Sequence, residues 1–558
     1  MKSTFVTIAL FYQLIISTPL SAQSWKWGAG SSVVYGYCLG WSVGVDQSGN
    51  VYGSGFTRTL GISSDALGST YGPYTVVDSY SVGVQSVLVS TDSNGNYRWA
   101  LGTQAGNVTF YNAATDIYGN TYILGVDSSS YFTFGSRSYS GSGIFCTKVS
   151  SSGNVLWIKS IISNTYHFGV GLNGMTVNST GNVYISGEFQ NSSITIGSTT
   201  LTNSDPSGTT NDVFFAKFDS SGNPIWARSF GGSANDNSNA HVLTSDSEIY
   251  VSGTFSSPSM TIGTATLTYT AGNGGNFYLA KFDASGNPIW AKTISTNDSL
   301  DGINGMACDP DGNVYLAGLY WHTFAIGTYT LPVPAYSNAF IAKYDSSGNV
   351  KWAQAFNKMV QSWALAADAC GNVWLCGGGQ TAPDPPAVLD TLFLAEYDTT
   401  GVLENTLKVS SGGYGVSGIT VDNKGNLYTC GDYIANFPVV VGHDTLTLSD
   451  STEQALFLVK YNYDSLGVCM HDTSNLQVQP IASAAATGLT IFPNPATSEL
   501  NIESGTAINQ ITITNLIGKT VYSQSPGSKE LQVNIAYLAP GIYFVKVNGT
   551  EVKRFVKQ

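Results

Sequence analysis

The residues of this 558-residue chain that could carry chemistry are few and scattered. The best metal candidate is Asp309-Pro-Asp311-Gly-Asn313, where alternating oxygen side chains around a glycine turn offer the hard donors calcium prefers, without the distal glutamate of an EF-hand. His167, His241, His322, His443 and His471 lie far apart, and no Gly-x-Ser-x-Gly elbow or His-Glu-x-x-His pair is present. Glu188, Glu396 and Glu404 are conceivable acid-base carboxylates, although a solvated strand or loop position is the simpler account of each. Tyr166-His167-Phe168 and Tyr320-Trp321-His322 set an aromatic face beside a polar group, which suits contact with a glycan or a protein. No catalytic residue or cofactor is assigned, and turn chemistry explains the Asp309 run without calcium.

What must position these residues is a repeat. One turn reads Asp46-Gln-Ser-Gly-Asn-Val-Tyr, Asp116-Ile-Tyr-Gly-Asn-Thr-Tyr, Asn178-Ser-Thr-Gly-Asn-Val-Tyr and so on to Asp422-Asn-Lys-Gly-Asn-Leu-Tyr, with Asp246-Ser-Glu-Ile-Tyr as a shortened copy. The closing aromatics, Tyr52, Tyr122, Tyr184, Tyr250, Tyr315, Trp374 and Tyr428, are 54 to 70 residues apart, a propeller-like period. A second turn follows an apolar run and leads into a tryptophan, as in Phe214-Phe-Ala-Lys-Phe-Asp-Ser-Ser-Gly-Asn-Pro-Ile-Trp226. Both turns have the chemistry of a type I turn followed by a left-handed glycine, so each joins an antiparallel hairpin.

Strands a and b, a long connection, then strands c and d make one four-stranded propeller blade, and seven a-b units imply seven blades. The last repeat lacks its tryptophan strand, while Ser24-Trp25-Lys-Trp27-Gly-Ala-Gly near the start matches an orphan strand d. The expected fold is therefore all-β: a seven-bladed propeller over 23–469, closed by the Trp25 and Trp27 strand. The a-b and c-d turns share one face, and the long b-c and d-a connections, the expected seat of binding, share the other. A motif inside the b-c connections, Ile194-Thr-Ile-Gly-Ser-Thr-Thr-Leu and its relatives at Met260, Phe324 and Val439, reads as an accessory hairpin.

The phrases Phe-x-Ala-Lys-Phe-Asp-x-Ser-Gly-Asn-x-x-Trp-Ala and Asp-x-x-Gly-Asn-Val-Tyr-x-x-Gly resemble the SBBP-type β-propeller repeat of exported bacterial proteins, over about residues 24 to 470. That family implies a scaffold and no activity. Residues 1–22, with Lys2, an apolar stretch from Phe5 to Ile16 and Ser21-Ala22, fit a signal peptide. Residues 470–488 read as a linker. Beyond them, Pro493-Asn-Pro, Asn515-Leu-Ile-Gly-Lys and Pro540-Gly-Ile-Tyr-Phe-Val-Lys-Val resemble the type A C-terminal sorting domain of the type IX secretion system of Bacteroidota, here a small Ig-like β-sandwich over 489–558. The resemblance implies passage through type IX machinery, removal of the domain, and release or attachment to surface lipopolysaccharide.

Composition narrows the function further. A net charge of −13 with no basic run argues against nucleic acid as a partner, and no integral membrane span is expected in the mature chain. The seven cysteines show no CxxC spacing, so neither a zinc site nor a fixed disulfide framework is indicated, and Cys38 with Cys469 is the pair to test first. The expectation is a secreted or surface-anchored binding or structural protein that recognises an extracellular glycan or protein. The competing expectation is an exported polysaccharide hydrolase or lyase with an axial active site. The side chains at the axial mouth discriminate between them.

Overall fold

The glycine-asparagine frame is a self-sufficient hairpin loop. In the computed structural model the Gly49 amide donates to the Asp46 carbonyl and the Asp46 amide to the Asn50 carbonyl, each at 3.0 Å. The Asp46 carboxylate accepts from the Ser48 and Asn50 amides on one oxygen, and from the Asn50 side chain and the Tyr52 hydroxyl on the other, all within 2.9 Å. Gly49 has φ +80°, the left-handed region that costs other L-residues roughly 1–2 kcal/mol. The supposedly shortened copy keeps the full frame. Thr244 takes the aspartate's place and Ser247, at φ +63°, the glycine's, with the same backbone hydrogen bonds from Ser247 to Thr244 and from Thr244 to Glu248.

The structure describes residues 24–462 and 489–558, apart from 34–35, 60–67, 78–83, 163–169, 245–246, 270–275, 296–299, 321, 333–337, 357–360, 380–390, 411–414, 435–438, 442–443, 447–453, 516–519 and 549–550. The expected signal peptide and linker lie outside these residues. Among the described residues no helix is long and apolar enough to cross a membrane.

Seven four-stranded antiparallel blades follow in chain order. Their inner strands a are Gly36–Val45, Val108–Thr115, Val170–Val177, Asp236–Leu243, Leu300–Cys308, Gln361–Ala367 and Gly415–Val421. Each packs against the next, and the seventh against the first, so the ring is closed. Closure comes from the strand Ser24–Gly30, which lies antiparallel to strand c of blade seven, Gln454–Asn462, as that blade's missing strand d. It copies an internal strand d down to its irregularity. Trp27 faces Lys460, and Lys26 is bulged before Trp25 faces Tyr461, just as Trp226 faces Lys217 and Ile225 is bulged before Pro224 faces Phe218.

The two halves of the repeat motif meet across blades. The Trp27 indole donates to the Ser93 carbonyl at 2.9 Å, Trp99 to Ser151, Trp157 to Ser220, Trp226 to Ala284, Trp290 to Ser346, and Trp352 to Thr399. Each acceptor is in the c-d turn of the following blade, and that turn's glycine is the floor under the indole. A Cβ on Gly286 would lie 3.0 Å from three Trp226 ring atoms, and one on Gly95 2.6 Å from Trp27. Only blade six lacks the tryptophan. Asn405 occupies the register position, opposite Glu396 instead of lysine. The reason is topological: blade seven takes its fourth strand from the other end of the chain, so it has no c-d turn to receive an indole.

The b-c connections are largely consumed by the scaffold. The four motif-bearing segments form hairpins, such as Ser193–Ile196 with Thr199–Thr202, and blades one and two carry further ones at Gly68–Tyr71 with Tyr74–Val77 and Tyr131–Phe134 with Arg137–Ser140. Ile194, Ile196 and Leu201 are buried in the core that blade three shares with blade two. The hairpin tips reach the beginning of strand d, where a Cβ on Gly197 would meet Pro224 and one on Gly263 would meet Pro288.

Residues 489–558 form a second compact unit. A three-stranded sheet (Thr490–Phe492, Glu499–Ile508, Ser528–Asn534) and a four-stranded sheet (Ile511–Asn515, Thr520–Gln524, Gly541–Val547, Glu551–Lys557) enclose a core that includes Leu500, Ile513, Val545 and Phe555. The Pro-Asn-Pro segment has a clear task. The Asn494 amide donates to the Arg554 carbonyl at 3.1 Å and accepts from the Val556 amide at 2.9 Å, pinning the entry of the domain to its last strand.

Candidate functional site

An inner strand lies closest to the axis of its ring, so an extra residue in it is pushed toward the axis. All seven inner strands contain such a residue at one common level, opposite no partner on strand b. A bulge leaves its residue outside the ladder and re-aims it. Blades three, four and five place Asn173, Asn239 and Asn304 there, and blade seven places Ser417. Blades one, two and six place Trp41, Tyr111 and Trp363. Amides therefore occupy one arc of the circle and aromatic residues most of the other.

Trp41, Asn173, Asn239, Asn304 and Ser417 line an axial cavity of about 330 Å³, to which blade two adds Asn112 and blade six Ala364 and Leu365, so every blade contributes. Trp41 lies edge-on to Tyr111, ring centres 6.2 Å apart, and Tyr111 is 39% exposed. On the amide arc, Asn173 donates to the Glu188 carboxylate and to the Ser238 carbonyl of the next blade. Asn304 is exposed, and Asn239 Oδ1 is buried without a hydrogen-bond partner. One turn-ward level below, an almost wholly apolar collar includes Val43, Met175, Met306, Leu365 and Ile419.

The exception in that collar is His241. Its Nδ1 faces the Ser186 hydroxyl at 2.6 Å and its Nε2 the Thr176 hydroxyl at 3.0 Å. Burial pushes its pKa from 6.5 down to about 4, so the ring is neutral at physiological pH. Gly174 makes room for it: a Cβ there would lie 2.4 Å from Nδ1. Glu188 stands behind Asn173, and burial raises its pKa to about 7 against the opposing hydrogen bond from Asn173. No carboxylate or cationic side chain lines the cavity among the described residues.

The other candidates fall elsewhere. Tyr320 is fully buried beneath the accessory hairpin of its own blade, packed with Ile326 and Leu331, so it is core and not a recognition surface. It holds the place of Phe189 and Phe255, five residues after the repeat tyrosine, a regularity visible in the sequence. His322 beside it is exposed, and Trp321, Tyr166 and His167 lie outside the described residues. Asp309 is committed to its turn. Its carboxylate accepts from the Asn313 amide and side chain and from Tyr315, and pairs with Lys343 at 3.2 Å, so an ammonium already stands where a cation would bind. Asp311 is an exposed turn residue. No group of three His, Cys, Asp or Glu suited to a metal occurs among the described residues. Glu396 is buried in blade six and Glu404 is exposed on its outer strand, so neither converges with Glu188. Cys146, Cys308, Cys376 and Cys430 are free thiols and Cys370 is disulfide-bonded, while the side chains of Cys38 and Cys469 lie outside the described residues.

Residues 490–558 match the family model described as the secretion system C-terminal sorting domain. The second unit is a sorting domain. The chain is thus a β-propeller followed by a secretion-system sorting domain, which supports secretion or an outer-surface location. Over 369 residues the chain is 26% identical to an uncharacterized WD repeat-containing protein of Acanthamoeba polyphaga mimivirus, covering 54% of this chain and 26% of that one. The chain thus spans about a quarter of that relative's length. Among solved structures it is similar to Sqt1 from Chaetomium thermophilum (TM-score 0.37, 9% identity, 77% of this chain and 99% of that one). It is also similar to virginiamycin B lyase from Staphylococcus aureus (TM-score 0.35, 10% identity, 75% and 94%). A third likeness is to PorZ, a surface component of the type IX secretion system of Porphyromonas gingivalis (TM-score 0.18, 10% identity, 95% and 100%).

Proposed function

We propose that this β-propeller protein is a binding protein that holds an uncharged extracellular ligand at the axial mouth of its ring, beside the long-connection face. Export begins with the signal peptide at 1–22 and is completed by the sorting domain, whose removal leaves the propeller released or joined to surface lipopolysaccharide. One observation carries the reading. Every blade contributes to a cavity bordered by amides, hydroxyls and the Trp41 ring, and its one ionisable lining residue among those described, His241, is held neutral between two hydroxyls.

The competing reading, a polysaccharide hydrolase or lyase, draws on Glu188, whose pKa near 7 suits a general acid. Glycoside hydrolysis ordinarily needs two carboxyl groups about 5–9.5 Å apart across the scissile bond. Glu188 has no second carboxylate facing it across the cavity among the described residues. The test is turnover of reducing-end-labelled polysaccharides by the full chain and by Glu188→Gln. Binding without product release is expected. Product formation that Glu188→Gln abolishes would replace the binding reading with the enzymatic one.

A further inference from the structure

At the seven bulged positions the carboxamides and the aromatic residues fall on different arcs of the ring. The level two residues further along the strands is by contrast almost wholly apolar, with His241 as its exception. The arc formed by blades three, four and five presents carboxamides, each with a donor and an acceptor. The facing arc presents the Trp41 ring to the cavity, with the exposed Tyr111 ring edge-on to it and Ser417 on blade seven. A ligand seated here therefore meets neutral hydrogen-bonding groups on one side and the Trp41 ring on the other.

We infer that the axial ring binds a neutral saccharide, one to two residues at the non-reducing end or a branch of a glycan, and this assignment rests on the binding reading above. The C–H face of a pyranose is apolar and stacks on an aromatic ring, while its equatorial hydroxyls each donate and accept, which carboxamides match. The absence of lining cations among the described residues disfavours uronic acids, sialic acids and sulfated sugars, because their anionic groups would be desolvated without a partner. A cavity of about 330 Å³ is at the small end of the roughly 300–1,000 Å³ range of ligand pockets, so it holds the tip of a glycan and not a length of chain. An extended peptide fits poorly. Its backbone needs a row of alternating partners along a strand edge, whereas the ring offers separate side chains around a circle. Asn239 gives a further pointer, since its Oδ1 lacks a protein donor, and a turn of that side chain toward the cavity would let a sugar hydroxyl supply one.

The experiment uses the full chain against an array of neutral oligosaccharides of glucose, galactose, mannose and N-acetylglucosamine, with sialylated and sulfated glycans and a displayed random-peptide library as the other arms. Trp41→Ala and Asn304→Ala are run in parallel. Asn304 is exposed, so its truncation leaves the fold intact, and circular dichroism with a urea titration checks both variants. The expected result is binding of at least one neutral sugar, weakened tenfold or more by each variant, with no anionic glycan preferred. Peptide or anionic-glycan binding that both variants abolish, without neutral-sugar binding, overturns the saccharide assignment and leaves the axial site standing. Neutral-sugar binding that both variants retain overturns the site itself, and binding in no arm overturns both.

Discussion

Replacing Trp27 by alanine should open the ring at a single seam. The indole is 7% exposed, lies over Gly95 and donates to the Ser93 carbonyl at 2.9 Å. Truncating a buried tryptophan costs about 3–5 kcal/mol, and the lost hydrogen bond to a partly wet turn carbonyl adds about 0.5–1 kcal/mol at most. A loss near 4 kcal/mol is therefore expected. Trp290→Ala is the matched control. It breaks the same latch, to Ser346 at 3.1 Å, on an indole that is partly exposed and whose strand is tethered to its own blade by a turn. The control should cost less, about 3 kcal/mol, in proportion to the smaller area it buries. The Trp27 strand has no such tether, because Gly30 faces Phe457 across most of the chain's length. In Trp27→Ala, hydrogen exchange should speed up along Gln454–Asn462 and remain slow in Val170–Val177 and Asp236–Leu243. Urea unfolding followed by hydrogen-exchange mass spectrometry reads both effects. If Trp27→Ala costs no more than Trp290→Ala and the Leu458 to Lys460 amides stay as protected as in the unmodified chain, the claim that this strand closes the ring is wrong.

Asn405→Trp restores the repeat residue to the one blade that lacks it, yet it should destabilise by about 1–2 kcal/mol in a urea titration, since no turn of blade seven can receive the indole and the polar contact of Asn405 is lost. A gain in the urea midpoint would overturn the topological account of that gap. Ser247→Gly relieves a left-handed serine at φ +63° and should raise stability by up to about 1 kcal/mol, reduced by the loss of the 3.2 Å hydrogen bond from Asn178. A fall would show that this hydrogen bond outweighs the backbone strain. His241 titrates near 4 in the folded chain and near 6.5 when unfolded, so below pH 6.5 the unfolded state takes up a proton that the folded state refuses. The folded chain should lose about 3 kcal/mol from this group as pH falls from 6.5 to 4, and a His241→Gln profile should lack that loss. Glu188, raised to about 7, acts in the opposite direction over about pH 4.5–7, so the difference between the two profiles, not either alone, is the measurement.

The scaffold was legible wherever a residue does its work inside one hairpin. The aspartate, glycine and asparagine of each turn satisfy one another within five positions, so the motif survives in sequence and dates every blade. The closing strand was legible for the same reason, because it repeats the register of an internal strand d around Trp27. The disguised turn at Thr244 hid because both signature residues are substituted while the backbone bonds persist. The axial ring was harder to see. A bulge is a mismatch between two strands, and a reading of one strand at a time has no partner against which to count the extra residue. The ring's members also differ in type from blade to blade, so a search for recurring residues passes over them.

That last property separates scaffold from site on physical grounds. The tight-turn face has its donors and acceptors satisfied locally, and in six of the seven blades the tryptophan of strand d is locked to a neighbouring glycine, so substitution there disturbs two blades at once. The b-c segments that looked free in sequence are folded back as hairpins against the strands beneath them. The residues of the bulged level of the inner strands stand outside the ladder, although Asn173 is tied into the neighbouring blade by a side-chain bond and Trp41 meets Tyr111 across a blade boundary. A ring closed by scaffold residues can therefore change side chains at its axial mouth with less effect on how its blades meet than at its turns. Three amides on one arc and aromatic residues on the other are the pattern such freedom would produce under selection for a ligand with one polar and one apolar face, and packing alone gives no reason for that division.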